Sequence, residues 1–340
     1  MTEDLHAGVQ GPAASGIGSL PGSDLPAAVR LVFDGLGDAP GVPYLPELPA
    51  RGVGADLTGR AVALLVDLAA EVAPSGWRIA DRPGRDHGRA LSHLRRDLDA
   101  LEEYTQDYQG PLKIQAAGPW TLAATLELRY GDKFLADPGA CRDLAESLTE
   151  GVSRLLAELA RRVPGAQLVL QLDEPALPGV LRGSVPTASG FGSLRAVEEP
   201  VVRQTLHQLV EAVGPVPVVV HCCAPEIPLD TLRGAGAAAI GLDWSLLSTR
   251  HDETLAELVE AGVGLYAGAV PAREPAAAPP TYQDVVDRIL ALRRVGLSAR
   301  QLAGAVTVTP SCGMAGASPQ WASRAQRLCL DAARALADAE

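Results

Sequence analysis

Apolar runs of strand length alternate with amphipathic, helix-type stretches along the chain. Eight apolar runs of this kind occur, at 16–21, 42–47, 112–118, 167–173, 216–223, 237–243, 263–268 and 306–312. Regular alternation of strands and helices predicts a parallel sheet, and eight is the number of strands that closes a (β/α)8 barrel. We therefore predict an α/β fold, a single (β/α)8 TIM barrel with insertions. A doubly wound open sheet is the alternative.

The helix-type stretches carry signals for where they begin. Asp24 is well suited to cap a helix over 25–36, and further helices are predicted over 57–72, from near Trp120, over about 196–212 and over 319–337. There is no internal repeat and no clean linker, so one domain over 1–340 is expected, with a loose tail at about 1–14.

Two segments exceed what a barrel needs. Residues 76–110 mix basic and acidic side chains and are interpreted as a solvated helix with salt-bridging charges. The Pro-rich stretch 273–280 is either a lid or an ordinary surface loop.

Chemically capable side chains occur where the predicted strands end. They are Ser19, Glu47, Asp173, His221, Cys223, Asp243 and Cys312. Catalytic groups of TIM barrels gather at the carboxyl ends of the strands. A closed barrel would therefore bring these residues to one rim, whereas an open sheet would spread them along a line.

The run that ends in His221, Cys222 and Cys223 has the residues of a metal site. Alternate side chains of a strand share a face, so His221 and Cys223 point to one side and Cys222 to the other. Zinc binds imidazole nitrogen and thiolate sulfur in sets of four, and Asp243 and Cys312 are the candidates for the other half of the site. The alternative is that these are ordinary buried residues, which is how we interpret Cys141 and Cys329.

Bulk properties narrow the class of partner. A net charge of −12 and a pI near 5.0 argue against nucleic acid and against an anionic membrane surface. No apolar stretch approaches a membrane span, and the first residues lack the pattern of a signal peptide, so a cytoplasmic location is expected. Five cysteines do not suit a disulfide framework, and a reducing compartment would keep thiolate ligands available. A small molecule or a protein partner is expected.

Several short motifs occur in the order typical of one enzyme family. They are Ile17-Gly18-Ser19, Pro46-Glu47 with Arg51, Leu172-Asp173-Glu174-Pro175 followed by Ala176, His221-x-Cys223, and Pro310-Ser311-Cys312-Gly313. Over nearly its whole length the chain resembles the catalytic half of cobalamin-independent methionine synthase.

This resemblance implies a zinc-dependent methyltransferase that activates homocysteine as a zinc-bound thiolate and methylates it to methionine. Its zinc ligands would be His221, Cys223 and Cys312, with Asp243 standing where the family generally has Glu. A thiolate rather than a thiol is the nucleophile, and zinc removes the thiol proton.

The resemblance also assigns the substrate-binding residues. Ser19 and Glu47 match positions that hold the amino-acid portion of homocysteine, and Asp173 matches the carboxylate that meets its ammonium group. Asp173 and Glu174 are the predicted catalytic carboxylates, because two adjacent carboxylates are costly to bury unless they are paired or in use. Glu174 could instead hold a ligand or a neighbouring loop in place.

The chain departs from the family where the methyl donor would act. Thr125 lies near the place of a Trp associated with folate binding, and Ala267-Gly268-Ala269 replaces a catalytic His after Tyr266. The chain is also too short for the second barrel that helps to bind polyglutamyl folate. A corrinoid protein or another carrier is therefore the expected donor. The alternatives are a barrel enzyme of the uroporphyrinogen decarboxylase type and a non-catalytic barrel that binds a thiol or zinc.

Overall fold

The computed structural model describes residues 11–276 and 278–339. In this part of the chain, eight parallel strands form one sheet and two antiparallel strands form a hairpin. The eight are β1 (Ala13–Ser15), β2 (Gly41–Val42), β5 (Gly110–Ala117), β6 (Ala166–Asp173), β7 (Val218–Cys222), β8 (Ala239–Asp243), β9 (Gly264–Val270) and β10 (Val306–Pro310). The hairpin is formed by β3 (Ala69–Ala73) and β4 (Gly76–Ala80).

The sheet closes on itself. Its strand order is β2-β1-β10-β9-β8-β7-β6-β5. Beyond β2, Tyr44 bridges to Lys113 of β5, with Lys113 N–H donating to the Pro43 carbonyl at 2.9 Å and Leu45 N–H to the Lys113 carbonyl at 3.1 Å. The predicted (β/α)8 TIM barrel is therefore confirmed, and the open sheet is excluded.

Helices cover the outside of the barrel. They are α1 (Leu25–Leu36), α2 (Leu57–Val62), α3 (Arg85–Tyr104), α4 (Pro119–Thr125), α5 (Pro138–Arg162), α6 (Leu177–Arg182), α7 (Glu199–Ala212), α8 (Leu229–Gly234), α9 (Asp252–Glu260), α10 (Tyr282–Leu290), α11 (Ala299–Ala305) and α12 (Pro319–Ala337). Asp24 caps α1 by accepting from Ala27 N–H at 3.1 Å, as predicted. None of the helices in the described ranges is long and apolar enough to cross a membrane.

The predicted bounds were wrong in three places. The helix expected over 57–72 ends at Val62, and the chain turns into the β3–β4 hairpin after Asp67, whose φ of 59° is left-handed and cannot continue a right-handed helix. β2 ends at Val42 because Pro43 and Pro46 lack the N–H that a ladder needs. β1 begins at Ala13, so residues 13–14 belong to the barrel and not to the predicted tail, most of which lies outside the described residues.

The first two predicted strands continue as extended segments beyond their short ladders. Ser19 bridges to Glu47, with Glu47 N–H donating to the Gly18 carbonyl at 3.0 Å and Leu20 N–H to the Glu47 carbonyl at 2.8 Å. Both segments therefore reach the carboxyl rim, where the sequence analysis expected their side chains.

Apolar packing lies on both sides of the sheet. One large cluster fills the space between strands and helices, including Val32, Leu172 and Trp321. A second, small cluster of Val169, Val219, Ala239 and Tyr266 fills the inside of the barrel. Above it the interior becomes polar and leads to the rim.

Candidate active site at the carboxyl rim

Three potential metal ligands come together at the rim. One ligand atom each of His221, Cys223 and Cys312 lies within 4.8 Å of the others. His221 ends the buried run of β7 beside Asp173 of β6, and Cys312 follows β10, so the parallel ladder brings residues far apart in sequence to one place. The predicted grouping of these three residues is thus present in the fold.

The donor atoms of this cluster suit a soft or borderline metal. The two sulfur atoms of Cys223 and Cys312 are 3.0 Å apart, and a hydrogen bond between them holds the pKa of Cys312 well below its usual range and raises that of Cys223. His221 is only 2% exposed, yet neither of its ring nitrogens has a hydrogen-bond partner in the described structure. A buried imidazole without partners is costly, and a metal ion bound to one nitrogen would remove part of that cost.

Glycine at position 241 leaves room for the imidazole. A Cβ at Gly241 would lie 2.9 Å from Nδ1 of His221, a contact too close for any side chain. The ring orientation therefore depends on a glycine of the neighbouring strand β8.

The remaining cysteines lie elsewhere, as expected. Cys222 is 1% exposed, and burial raises the pKa of its thiol to about 12. Cys141 donates to the Phe134 carbonyl at 3.2 Å, and Cys329 is fully buried in α12. None of these three belongs to the ligand cluster found among the described residues.

Asp243, the predicted fourth ligand, is not part of that cluster. Its Oδ1 accepts from the N–H of Ser245 at 2.8 Å and from the Ser245 hydroxyl at 2.6 Å, which caps a 3-10 turn. Asp243 and Cys312 do line the same cavity of about 620 Å³. Direct ligation by Asp243 stays a prediction and would require a carboxylate oxygen to come closer to the cluster.

Ser19 lies against the loop that follows β10. Its hydroxyl accepts weakly from Ala315 N–H at 3.4 Å, and its carbonyl accepts from Met314 N–H at 2.8 Å. A Cβ at Gly313 would come within 2.2 Å of the Ser19 hydroxyl, so this approach requires glycine there.

Glu47 ends a buried chain of alternating charges. Its Oε1 accepts from Arg60 Nε at 3.0 Å, and Arg60 also pairs with Asp97. Asp97 is fully buried and accepts two hydrogen bonds from Arg51, at 2.6 and 3.0 Å. Burial alone would lower the pKa of Arg60, but Glu47 and Asp97 raise it.

This chain of charges corrects one sequence interpretation. The segment 76–110 was interpreted as solvated, yet Asp97 of α3 points inward and is the centre of the ion-pair network behind Glu47. The helical spacing that puts Asp97 next to the buried Leu98 and Leu101 was a signal that could have indicated this.

Asp173 is buried at the end of β6, next to polar residues that the sequence analysis missed. Its Oδ1 accepts from Gln171 Nε2 at 2.7 Å. Burial raises the pKa of Asp173, while the charges of His221 and Lys113 oppose that rise. Lys113 is itself fully buried, which lowers the pKa of its ammonium group. Its signal in the sequence was a lysine within an otherwise apolar strand.

Glu174 has contacts that favour a positioning role. It is fully buried, and its two carboxylate oxygens accept from the backbone N–H groups of Trp120, at 3.0 Å, and Thr121, at 2.7 Å. A Cβ at Gly118 would lie 2.4 Å from the same carboxylate. Glu174 thus holds the start of α4 against β6, which is the second of the two roles considered for it; a catalytic role stays untested.

Gly268, one of the three residues that stand in place of the expected histidine, has no room for a side chain. A Cβ at Gly268 in β9 would come within 2.4 Å of the Leu242 carbonyl oxygen and 2.7 Å of the Ser311 Cα. The hydroxyl of Thr125, the last residue of α4, donates to the Thr121 carbonyl at 2.8 Å. Neither residue supplies the group that the resemblance associates with the donor.

The fold and the site together define a (β/α)8 barrel with a metal-competent cluster of two thiols and one imidazole at its catalytic rim. The chain belongs to the cobalamin-independent synthase family: the model of that family's catalytic domain matches residues 12–335. This match favours a synthase-type enzyme over the uroporphyrinogen decarboxylase alternative. A comparison with curated protein sequences gave no significant match.

Solved structures are similar in fold. A B12-independent methionine synthase from Shewanella sp. W3-18-1, solved in complex with selenomethionine, is 14% identical, with a TM-score of 0.59 over 96% of this chain and 98% of that one. The mannanase BCman from Bacillus subtilis is 12% identical, with a TM-score of 0.46 over 97% and 87% of the two chains. At 14% identity the likeness to the Shewanella protein extends to the fold alone.

Proposed function

We propose that this protein is a zinc-dependent methyltransferase that methylates a thiol, with homocysteine as substrate and methionine as product. The observation that carries the proposal is the cluster of His221, Cys223 and Cys312 beside an open cavity at the carboxyl rim. Family membership supports the same reaction class.

Zinc is the metal that this donor set favours. Two thiolates and a neutral imidazole are typical zinc ligands, and a catalytic zinc site keeps a further position for substrate. Zinc bound there would act as a Lewis acid that keeps a thiol ligand in its thiolate form at neutral pH. Asp243 is the proposed additional ligand, as the family resemblance implies.

The protein's own side chains would orient the amino-acid portion of the substrate. Asp173 would accept from the substrate ammonium, since Gln171 already holds one of its oxygens in place. The second carboxylate oxygen of Glu47, which does not bond to Arg60, would also accept from the substrate ammonium. Ser19 would hold the carboxylate end from the opposite segment. The selenomethionine in the Shewanella protein supports an amino-acid ligand in this kind of pocket.

Once the thiolate is present, methyl transfer requires the substrate sulfur to be in line with the methyl carbon of the donor. The sulfur lone pair forms the new bond to the methyl carbon, and the electron pair of the bond that breaks leaves with the carrier. Fixing the two reactants in line lowers the entropic part of the barrier. We propose a corrinoid protein or another methyl carrier as donor, because Thr125 and Ala267-Gly268-Ala269 stand where the resemblance places a Trp linked to folate and a catalytic His.

Metal analysis tests the proposal directly. Purified protein should contain one zinc ion per chain, and X-ray absorption at the zinc edge should show an additional sulfur neighbour after homocysteine is added. Protein purified with ample zinc that still contains none would contradict the proposal. Turnover with methylcobalamin or a methylated corrinoid protein then separates a transferase from the alternative, a barrel that only binds a thiol or zinc.

A further inference from the structure

Lys113 is an unusual residue for its position. The chain has 29 Lys and Arg residues, and Lys113 and Lys133 are the only lysines among them. Lys113 lies inside the barrel on β5 and is fully buried. A sequence that otherwise uses arginine almost exclusively has kept a lysine at its most buried cationic site. At such a site a compact ammonium group and a planar guanidinium are not interchangeable.

The ammonium group of Lys113 contacts the segment that carries Ser19. Its Nζ donates to the Ile17 carbonyl at 2.9 Å and lies 5.2 Å from the centre of the Tyr44 ring. Gln171 Nε2 donates to the same carbonyl, also at 2.9 Å. Both lone pairs of the Ile17 oxygen are therefore used by side chains from two different strands.

Gln171 extends these contacts to the other side of the pocket. The same Nε2 group donates to Asp173 Oδ1 at 2.7 Å. The path Lys113, Ile17, Gln171, Asp173 thus joins the two segments to which the proposed function assigns the amino-acid portion of the substrate. Burial lowers the pKa of Lys113, and the charges of Asp173 and Glu47 oppose that effect.

The segment from Gly16 to Ser19 has little freedom of its own. A Cβ at Gly16 would overlap the Tyr44 ring at 2.3 Å, and one at Gly18 would lie 2.9 Å from the Gln115 side chain. The segment is therefore packed closely on the polar interior of the barrel. The Lys113 and Gln171 side chains hold it from inside the barrel, and backbone bonds from Glu47 and Met314 hold it at the rim.

We propose that Lys113, together with Gln171, is a positioning residue for substrate specificity: the two side chains fix the Ile17 carbonyl and so hold Ser19 and Asp173 at the spacing that an α-amino acid requires. This inference rests on the proposed function. It assigns to Lys113 the recognition of the amino-acid portion of the thiol and no part in holding the metal.

Binding measurements on substitution variants test this assignment. Lys113→Met keeps the length of the side chain and removes its charge and donors. Zinc-loaded Lys113→Met should bind L-homocysteine about tenfold more weakly or worse than wild type, because a charge-assisted hydrogen bond in the pocket wall is lost. Its affinity for ethanethiol, which has no amino-acid portion, should be unchanged. Lys133→Met is the matched control and should leave both affinities unchanged.

A second binding measurement uses L-methionine and does not require bound zinc. L-Methionine binding to the metal-free protein, measured by calorimetry, should weaken by a similar factor in Lys113→Met and in Gln171→Leu. Equal weakening for homocysteine and ethanethiol would overturn the inference, since it would mean general damage to the site. Wild-type protein that binds no homocysteine at all would instead contradict the proposed function.

A spectroscopic test on wild-type protein does not depend on how the Lys113 and Gln171 variants fold. Protein labelled with 13C at lysine Cε should give two lysine signals, and Lys133→Met assigns the one that remains to Lys113. Adding homocysteine should shift the Lys113 signal and leave that of Lys133 in place. A Lys113 signal that stays unchanged at saturating homocysteine would overturn the assignment.

Discussion

Replacing Asp97 with Asn breaks the centre of the ion-pair chain behind Glu47. Asp97 is fully buried, and its partners Arg51 and Arg60 have side chains that are 10% and 6% exposed. The substitution leaves two buried guanidinium groups with only Glu47 to neutralise them. The charge of this network therefore changes from zero to positive inside the protein.

The contact geometry gives the size of the effect. Two unit charges about 4 Å apart attract by about 4 kcal/mol at an effective dielectric constant of about 20. Removing one partner of a buried ion pair typically costs about 3–5 kcal/mol, because the remaining charge stays desolvated. We expect Asp97→Asn to lower the free energy of unfolding by that amount, measured by urea unfolding followed by circular dichroism.

Two controls make this measurement specific. Glu150→Gln removes an exposed pair with Arg154, whose side chains are 53% and 65% exposed, and should cost less than about 0.5 kcal/mol. The double variant Asp97→Asn with Arg51→Met removes a cation together with its anion and should regain part of the loss. A cost below about 1 kcal/mol for Asp97→Asn would refute the reasoning, since the network would then behave like a solvated surface pair.

Three further outcomes follow from the site. Cys312→Ser should lower the zinc content, measured by elemental analysis, well below one ion per chain while the barrel stays folded. Cys222→Ser is the control and should retain full zinc, because its thiol lies outside the ligand cluster. Full zinc in Cys312→Ser would disprove the ligand set. Glu174→Gln should lower the free energy of unfolding by about 1–3 kcal/mol, because the NH2 group of the new side chain would face one of the buried N–H groups of Trp120 and Thr121 and could not accept from it. An unchanged urea midpoint would contradict this role of Glu174. Gly268→Ala should lower the free energy of unfolding by about 1–3 kcal/mol, because the new methyl group would overlap with the Leu242 carbonyl. Gly304→Ala is the control: Gly304 lies in open space on α11, so the change should be neutral or stabilising. Equal effects at both positions would argue against the steric explanation.

Local patterns along the chain were enough to predict the barrel architecture. Alternation of apolar runs and amphipathic stretches depends on local periodicity, which survives without knowledge of the fold. Six of the eight strands and the final helix were therefore predicted close to their observed bounds, whereas β1 and β2 begin before the runs 16–21 and 42–47 that predicted them. The rim position of His221, Cys223 and Cys312 followed from strand ends alone. Local signals were less decisive after Val62, where the helix ends although the apolar pattern continues to Val72.

Which side chains form hydrogen bonds and ion pairs with each other became known from the folded chain. Lys113, Ile17 and Gln171 are up to 154 positions apart in the chain, and no periodicity reports that they meet at one carbonyl oxygen. The spacing of Asp97 from Leu98 and Leu101 places it near the buried face of α3, but that spacing does not indicate that Arg51 and Arg60 are its partners. Such pairings depend on closure of the barrel and on the exclusion of water, and both are properties of the folded chain and not of any segment of it.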